Sequence, residues 1–419
     1  MSDLSDRALL RALFDAALAA SLPDGRFAGL LPARPKGRTI VLAAGKGAAR
    51  MAVAFEAAIL EAGWDGPLEG LAVTRYGHAV PTRHVEVVEA AHPVPDAAGL
   101  AAAGRMLEIA RGAGPDDLVV FLISGGASAL LSLPADGISL DDKRAITTAL
   151  LKSGAAIDEM NAVRKALSAI KGGRLAAAAA QATRVTYLIS DVPGDDPSVI
   201  GSGPSIPEPA TTDRAFAILS RYGIDVPPHV AAAMRLNVPA DVAPGAVHML
   251  ATPKTALDAA AERARALGLT PLVLGDAIEG NAAEVGTVMA GIAKSAAAHG
   301  EPVARPCVLL SGGETTVIVR GKGRGGRNAE FLLSLAIHLG GVTGVSAIAC
   351  DTDGIDGSED NAGAWIDADV LAQAKAAGID ALARLADNDA YTVFAALGRL
   401  VVTGPTFTNV NDFRAIVVR

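Results

Sequence analysis

The sequence predicts an α/β protein of two domains, and three observations carry that prediction. Five apolar, β-rich runs each pass into a glycine or acidic turn: Thr39–Gly47, Leu118–Ser128, Val185–Asp195, Pro306–Thr315 and Ser346–Gly357. Helical patterns separate them, and such alternation implies a mostly parallel sheet with helices on both faces. The chain has 419 residues, 51% of them apolar, which is too long for one ordinary core and suits two domains of roughly 200 residues each. In open α/β sheets ligands bind just beyond the carboxyl ends of the strands. Those ends carry Lys46, Ser124, Asp191, Glu314, Asp351 and Asp353, and the expectation is that they line one polar cleft between the domains.

The elements follow in order. Residues 5–20 read as an amphipathic helix with Leu9, Leu10, Leu13, Phe14 and Leu18 on one face, packed on the body. Further helices are expected at Ala48–Ala62, Asp96–Ala113, Leu140–Leu151 and Met160–Ala182. GSGPSIPEP (Gly201–Pro209) is too rich in proline and glycine to be a helix or a central strand. Composition shifts at Val226–Pro244, so domains are drawn at 1–240 and 241–419. Beyond that point Val247–Leu250, Leu272–Leu274, Val308–Leu310, Thr316–Val319, Ser346–Ala349 and Arg399–Val402 read as strands.

Bulk properties exclude several functions. Net charge is −8 and aromatics make up 4%. The basic footprint and stacking surfaces of a nucleic-acid binder are therefore absent. The two cysteines, Cys307 and Cys350, fall in strand-like runs and read as small buried hydrophobes in a reducing cytosol. No run is long enough to span a membrane, and the charged N-terminus does not read as a signal peptide. A cytoplasmic protein with small-molecule partners is expected, with neither nucleic acid nor membrane among them.

Four motifs carry candidate chemistry. Gly45-Lys46-Gly47 places a lysine between two glycines at a strand end, just before a helix. Glycines allow close approach of a ligand, and a helix N-terminus favours anions. It is neither a Walker loop nor a dinucleotide fingerprint, since Arg50 stands where a third glycine belongs. GKGRGGRN (Gly321–Asn328) does contain GxGxxG, at Gly321, Gly323 and Gly326, with Asp351 further on. That is the best sequence argument for an NAD(P)H-dependent reductase. Yet Lys322, Arg324 and Arg327 interleave the glycines and suit a more highly charged partner such as a triphosphate, which Arg327 could grip bidentately. In Asn161–Gly173, Arg164, Ser168 and Lys171 share a helical face, either solvated or gripping a carboxylate or phosphate. The acids Asp191, Asp351 and Asp353, with Asp356 behind, follow strands and suit Mg²⁺ or a general base. The seven histidines do not cluster, and His92, before Pro93, reads as a turn residue.

SGGASAL (Ser124–Leu130), VRKALSAIKGGRLA (Val163–Ala176), ISDVPGDDPSVIGSGP (Ile189–Pro204), SGGETTV (Ser311–Val317), GGRNAE (Gly325–Glu330), DTDGIDG (Asp351–Gly357) and TNVNDF (Thr408–Phe413) together resemble the class II glycerate 2-kinases. Many members of that family carry the label hydroxypyruvate reductase. The resemblance spans nearly the whole chain. It implies a Rossmann-like N-terminal domain, a C-terminal MOFRL domain and an active site in the cleft between them. It implies transfer of the ATP γ-phosphoryl group to the 2-hydroxyl of D-glycerate with Mg²⁺, by a monomer or homodimer. A lysine in the first glycine loop and an arginine in GGRN are the family's catalytic pair, matching Lys46 and Arg327. Gly45, Gly47, Ser124, Gly125, Gly126, Ser128, Gly312, Gly313, Glu314, Gly325, Gly326 and Asn328 are expected around substrate or phosphate. Arg164 and Lys171 are expected on the glycerate carboxylate, and Asp191 and Asp353 on the metal. Two positions depart from the family: Ala166 replaces a usual histidine and Phe407 a usual glycine. A non-catalytic nucleotide or sugar-acid sensor is the remaining alternative to kinase and reductase.

Overall fold

A computed structural model describes residues 5–155, 157–208, 212–238, 240–243 and 245–419. Pro209, at the end of the proline-rich segment, lies outside the described residues. The chain forms two compact units.

The first unit comprises Pro23–Ser190 and Asp195–Leu250. Its strands are β1 (Thr39–Ala44), β2 (Leu68–Arg75), β3 (Val85–Ala90), β4 (Leu118–Ile123), β5 (Thr183–Ile189) and β6 (Ala246–Ala251), in spatial order β3-β2-β1-β4-β5-β6. β1 to β5 run parallel. Every residue of β1 and β4 is buried, as expected for parallel strands covered on both faces. The order reverses direction at β1 and β4, which makes their carboxyl ends the place where ligands bind in such sheets. β6 extends this sheet past the composition shift at 226–244.

The helix after α1 (Asp6–Ser21) is α2 (Ala48–Glu61), followed by α3 (Ala97–Arg111), the single turn α4 (Ala127–Leu130), α5 (Leu140–Ser153), α6 (Ile157–Ala166) and α7 (Arg174–Ala178). The single helix expected over Met160–Ala182 is therefore two short ones. Gly172 and Gly173 adopt φ of 60° and 80°, which a helix does not tolerate. The Ser168 hydroxyl accepts from the amides of Ile170 and Lys171 at 3.3 Å each, replacing helical bonds with a local turn.

The second unit comprises Met1–Leu22, Asp191–Gly194 and Ala251–Arg419. Its strands are β7 (Thr270–Gly275), β8 (Gly280–Asn281), β9 (Cys307–Gly313), β10 (Thr315–Thr316), β11 (Val345–Asp351), β12 (Gly363–Ile366), β13 (Leu400–Val401) and β14 (Asp412–Val418). Six form a mixed sheet in the order β13-β12-β11-β14-β9-β7, with β14 antiparallel to both neighbours. β8 and β10 pair separately. The strand expected over Thr316–Val319 is thus only the two residues of β10, and it lies outside the main sheet. Cys307 and Cys350 are buried and free.

The N-terminal helix belongs to this second unit, remote in sequence. α1 packs on the helix Pro253–Ala266 and on β11 and β14. Its face of Leu9, Leu10, Leu13 and Phe14 is buried, with Phe14 5.8 Å from the Phe413 ring. An apolar stripe predicts that a helix is packed, but does not name the surface it packs on.

Candidate active site

In the first unit, the loops after β1 and β4 are locked together. The Lys46 amide donates to the Gly125 carbonyl at 2.8 Å, and the Gly47 amide to the Ser124 hydroxyl at 3.0 Å. Gly45 has φ of 127°, and a Cβ there would fall 2.2 Å from the Ser124 hydroxyl oxygen. Only glycine permits this approach. Ser124 thus acts as a joint, fixing the Gly45–Gly47 loop. No side chain caps α2, which starts directly after Gly47. Arg50 forms a fork on Asp24, with Nε 3.0 Å from Oδ2, and does not line the loop. Gly126 has φ of 82°, and a Cβ on it would meet the Lys46 side chain and the His92 ring at 3.2 and 3.1 Å. Lys46, Gly126 and His92 are therefore neighbours. His92, which the sequence suggested as a turn residue, lies at the site.

Next to them opens a pocket of about 530 Å³, lined by His92, Gly126, Ser128, Lys143, Arg164 and Lys171 among others. Arg164 and Lys171 do converge here, though not along a common helix face. Lys171 donates to the Ser128 carbonyl at 2.7 Å and hydroxyl at 3.1 Å. The same hydroxyl lies 2.8 Å from that of Ser202. Lys143, absent from the sequence reading, is 5% exposed, and its ammonium has no hydrogen-bond partner. Burial, and then the Arg164 charge, push its pKa down to about 7. Burial and the neighbouring cations also hold Lys171 well below the usual lysine range. Lys143 lies on α5 in an ordinary helical pattern, so no local signal marked it. Ala166 is buried in the helical core with Val163 and Leu167; it does not line the pocket.

In the second unit, Arg327 opens the helix Arg327–Leu339 and is bound by carboxylates from three adjacent strand ends. Nε lies 2.7 Å from Asp412, Nη2 2.7 Å from Asp351 and Nη1 3.3 Å from Glu314. Asp351 and Asp412 are direct partners across β11 and β14. Such like charges repel unless a cation compensates them, and Arg327 does so together with buried Arg414, which also pairs with Asp412. Although burial works against it, the three carboxylates raise the Arg327 pKa well above its usual value. Asn328 adds a bond to Asp412 at 2.8 Å. Asp412 was present in the sequence as part of TNVNDF without an assigned role.

The remaining glycines are explained by packing. A Cβ on Gly326 would fall 2.3 Å from the Asp356 carboxylate, which accepts from the Asn328 and Ala329 amides at 2.9 Å each. Asp356 thus caps this helix, and burial raises its pKa to about 6. Gly321 and Gly323 press against the main chain of Asp387 and Asp389. Gly325 has φ of 151°. Gly312 is held through its carbonyl by Arg414 at 3.2 Å, and a Cβ on Gly313 would strike Ile278 at 2.3 Å. The literal GxGxxG is therefore not a dinucleotide loop. Irregular chain precedes it in place of a sheet strand, its helix end is capped by Asp356, and Asp351 is engaged by Arg327.

Asp191 and Asp353 are both in the second unit. Asn409 donates to the Asp191 carboxylate at 3.0 Å, and Asn411 donates to its carbonyl. The Asn411 carbonyl accepts from Thr352 at 3.0 Å, beside Asp353, whose carboxylate accepts from Ile355 at 2.8 Å. Among the described residues, no group of three or more His, Cys, Asp or Glu side chains is placed to hold a metal. Phe407, in the same segment, has φ of 61°, a left-handed conformation that glycine adopts without strain.

A parallel sheet with a lysine at its switch point and, in the same chain, a mixed sheet with a carboxylate-bound arginine define the class, an α/β protein of two units. The chain belongs to the family of glycerate kinases that combine a DUF4147 domain with a MOFRL domain. The family described as "Domain of unknown function (DUF4147)" matches residues 9–235, and the MOFRL family matches residues 307–412. The chain is 39% identical to the D-glycerate 2-kinase of Thermotoga maritima, over 94% of each protein. It is 54% identical to an Agrobacterium vitis protein provisionally named a hydroxypyruvate reductase, over 100% of this chain and 95% of that one. A crystal structure of glycerate kinase from Thermotoga maritima matches with a TM-score of 0.88 at 38% identity, covering 98% of this chain and 99% of that one. No helix among the described residues is long and apolar enough to cross a membrane.

Proposed function

We propose that this protein is a kinase that transfers the γ-phosphoryl group of ATP to the 2-hydroxyl of D-glycerate. The observation that carries the reading is Lys46, held between two glycines at the β1–β4 switch point ahead of an uncapped helix, in a chain similar over nearly its whole length to a D-glycerate 2-kinase. Phosphoryl transfer needs positioning and charge neutralisation far more than covalent help from the protein. Lys46 supplies one positive charge to the transferring group, and its loop amides and Ser124 fix the main chain that carries it. Arg327 supplies a second. Of its three carboxylate partners, Asp351 and Asp412 are buried while the Glu314 side chain is 49% exposed. Glu314 is thus the partner that yields to phosphoryl oxygens, leaving the other two to hold the planar fork in place.

Mg²⁺ takes one or two carboxylates and completes its shell with phosphate oxygens and water. Asp191 and Asp353, each oriented by neighbouring amides, fit that sparse requirement and would hold the ion. When bound, the ion would offset negative charge on the phosphates. The two buried free cysteines suit a reducing cytosol, where we place the enzyme, as a monomer or homodimer.

The test compares two reactions of the purified protein. D-glycerate, ATP and Mg²⁺ should yield ADP and 2-phosphoglycerate, while hydroxypyruvate should leave NADH and NADPH unoxidised. Nicotinamide oxidation without ADP formation would overturn the proposal in favour of a reductase. Binding of either ligand with no turnover would leave a sensor.

A further inference from the structure

We propose that the pocket floored by Lys143, Arg164 and Lys171 holds the polyphosphate arm of the nucleotide, with the base at its apolar mouth. The inference rests on the kinase reading and names which ligand occupies this site.

Charge is the first argument. Four basic side chains line the pocket (Arg144 is the fourth), and no aspartate or glutamate among the described residues does. Lys143 is nine-tenths buried with an unpartnered ammonium. Burying cations together is costly unless an anion compensates them. One carboxylate would bring a single negative charge to three converging cations, whereas a nucleotide polyphosphate brings several. The depressed pKa of Lys143 fits a site that awaits a strong anion.

Size and surface character are the second. About 530 Å³ falls within the range of sites for drug-sized ligands. A three-carbon acid would leave most of that volume unfilled. Around the mouth stand Val94 and Leu151, 65% and 57% exposed, with Leu140 nearby. Exposed aliphatic groups above a cationic floor match a ligand with a flat apolar end and a charged end. Position is the third. Gly126 is shared between the pocket and the Lys46 neighbourhood, so a phosphate chain lying on the floor leads toward Lys46.

Titration calorimetry with metal-free ADP and, separately, D-glycerate tests the assignment. In Lys143→Gln the Kd for ADP should rise at least tenfold, and that for D-glycerate should stay within twofold. Lys143→Arg should bind ADP within threefold of wild type. Leu151→Glu sets a negative charge on an exposed position at the mouth and should also weaken ADP at least tenfold; it carries the test if Lys143→Gln does not fold. Unchanged ADP binding in Lys143→Gln or in Leu151→Glu, or selective loss of D-glycerate, would overturn the assignment. A wild-type protein that binds ADP through Lys143 yet does not phosphorylate D-glycerate would sink the functional reading alone and support this one.

Discussion

Arg327 and Asp412 meet edge to edge in the second unit, with Nε 2.7 Å from a carboxylate oxygen that is wholly buried. Asp412 is also the partner of buried Arg414. Removing it leaves buried Arg414 without its carboxylate and takes one of three from Arg327. Asp412→Ala should destabilise the protein by about 3–5 kcal/mol, the usual cost of breaking a buried pair. Urea unfolding measures this, and a loss below about 1 kcal/mol would contradict the network described.

The same network dictates how to test Arg327. An alanine there would leave Asp351 and Asp412 without their common cation and would confound folding with chemistry. Arg327→Lys keeps a charge and loses the planar fork. Its kcat should fall about a hundredfold with far-UV circular dichroism unchanged. Near-normal turnover would refute the bidentate role.

Lys46 lies in a loop that is held through main-chain groups and Ser124. Lys46→Ala should lower kcat by about a hundredfold or more, as expected when charge stabilisation of a transition state is lost. Steady-state kinetics decides it: a change confined to KM would make Lys46 a binding residue only.

Ser124→Ala separates positioning from charge. The hydroxyl's bond to the Gly47 amide would be lost, leaving a buried donor unsatisfied at a cost of about 1–3 kcal/mol. Thermal unfolding should show that loss. Turnover should fall less than in Lys46→Ala.

Lys143 should give the apoprotein a pH-dependent stability. Its folded pKa is about 7, against 10.5 for an ordinary lysine. From pH 7 to about 10 the unfolded chain binds the proton and the folded chain does not, so this group makes stability rise with pH. Below 7 both states are protonated and the cost of the buried charge is fully present. Lys171, held low by its own burial and by Lys143, Arg164 and Lys165, acts in the same direction. Comparing wild type with Lys143→Met isolates the Lys143 contribution. The gap between the two should narrow as pH rises, by up to about 1.4 kcal/mol per unit. A constant gap would show that Lys143 does not titrate there.

Much of this molecule was legible from strand ends. The runs at Thr39–Gly47 and Leu118–Ser128 became β1 and β4, and their glycine turns fell at the switch point because parallel buried strands leave a strong apolar signature. Lys46 and Arg327 stood out because cations between glycines, or at a helix start, are locally unusual. Lys143, His92 and Asp412 were not legible as site residues. Each occupies an ordinary local pattern and gains its meaning only from neighbours distant in sequence. The helix over Met160–Ala182 was misread because alanine-rich sequence masks a turn, which Ser168, Gly172 and Gly173 impose together. The GxGxxG match shows the converse: a spacing with ligand-binding associations used here to bring two chain segments into contact.

The anchoring of Arg327 by paired strand carboxylates has an evolutionary corollary. A descendant released from selection for turnover would still need that guanidinium to fold, so the arginine would persist as a relic of catalysis. Decay should register first at positions outside that carboxylate network.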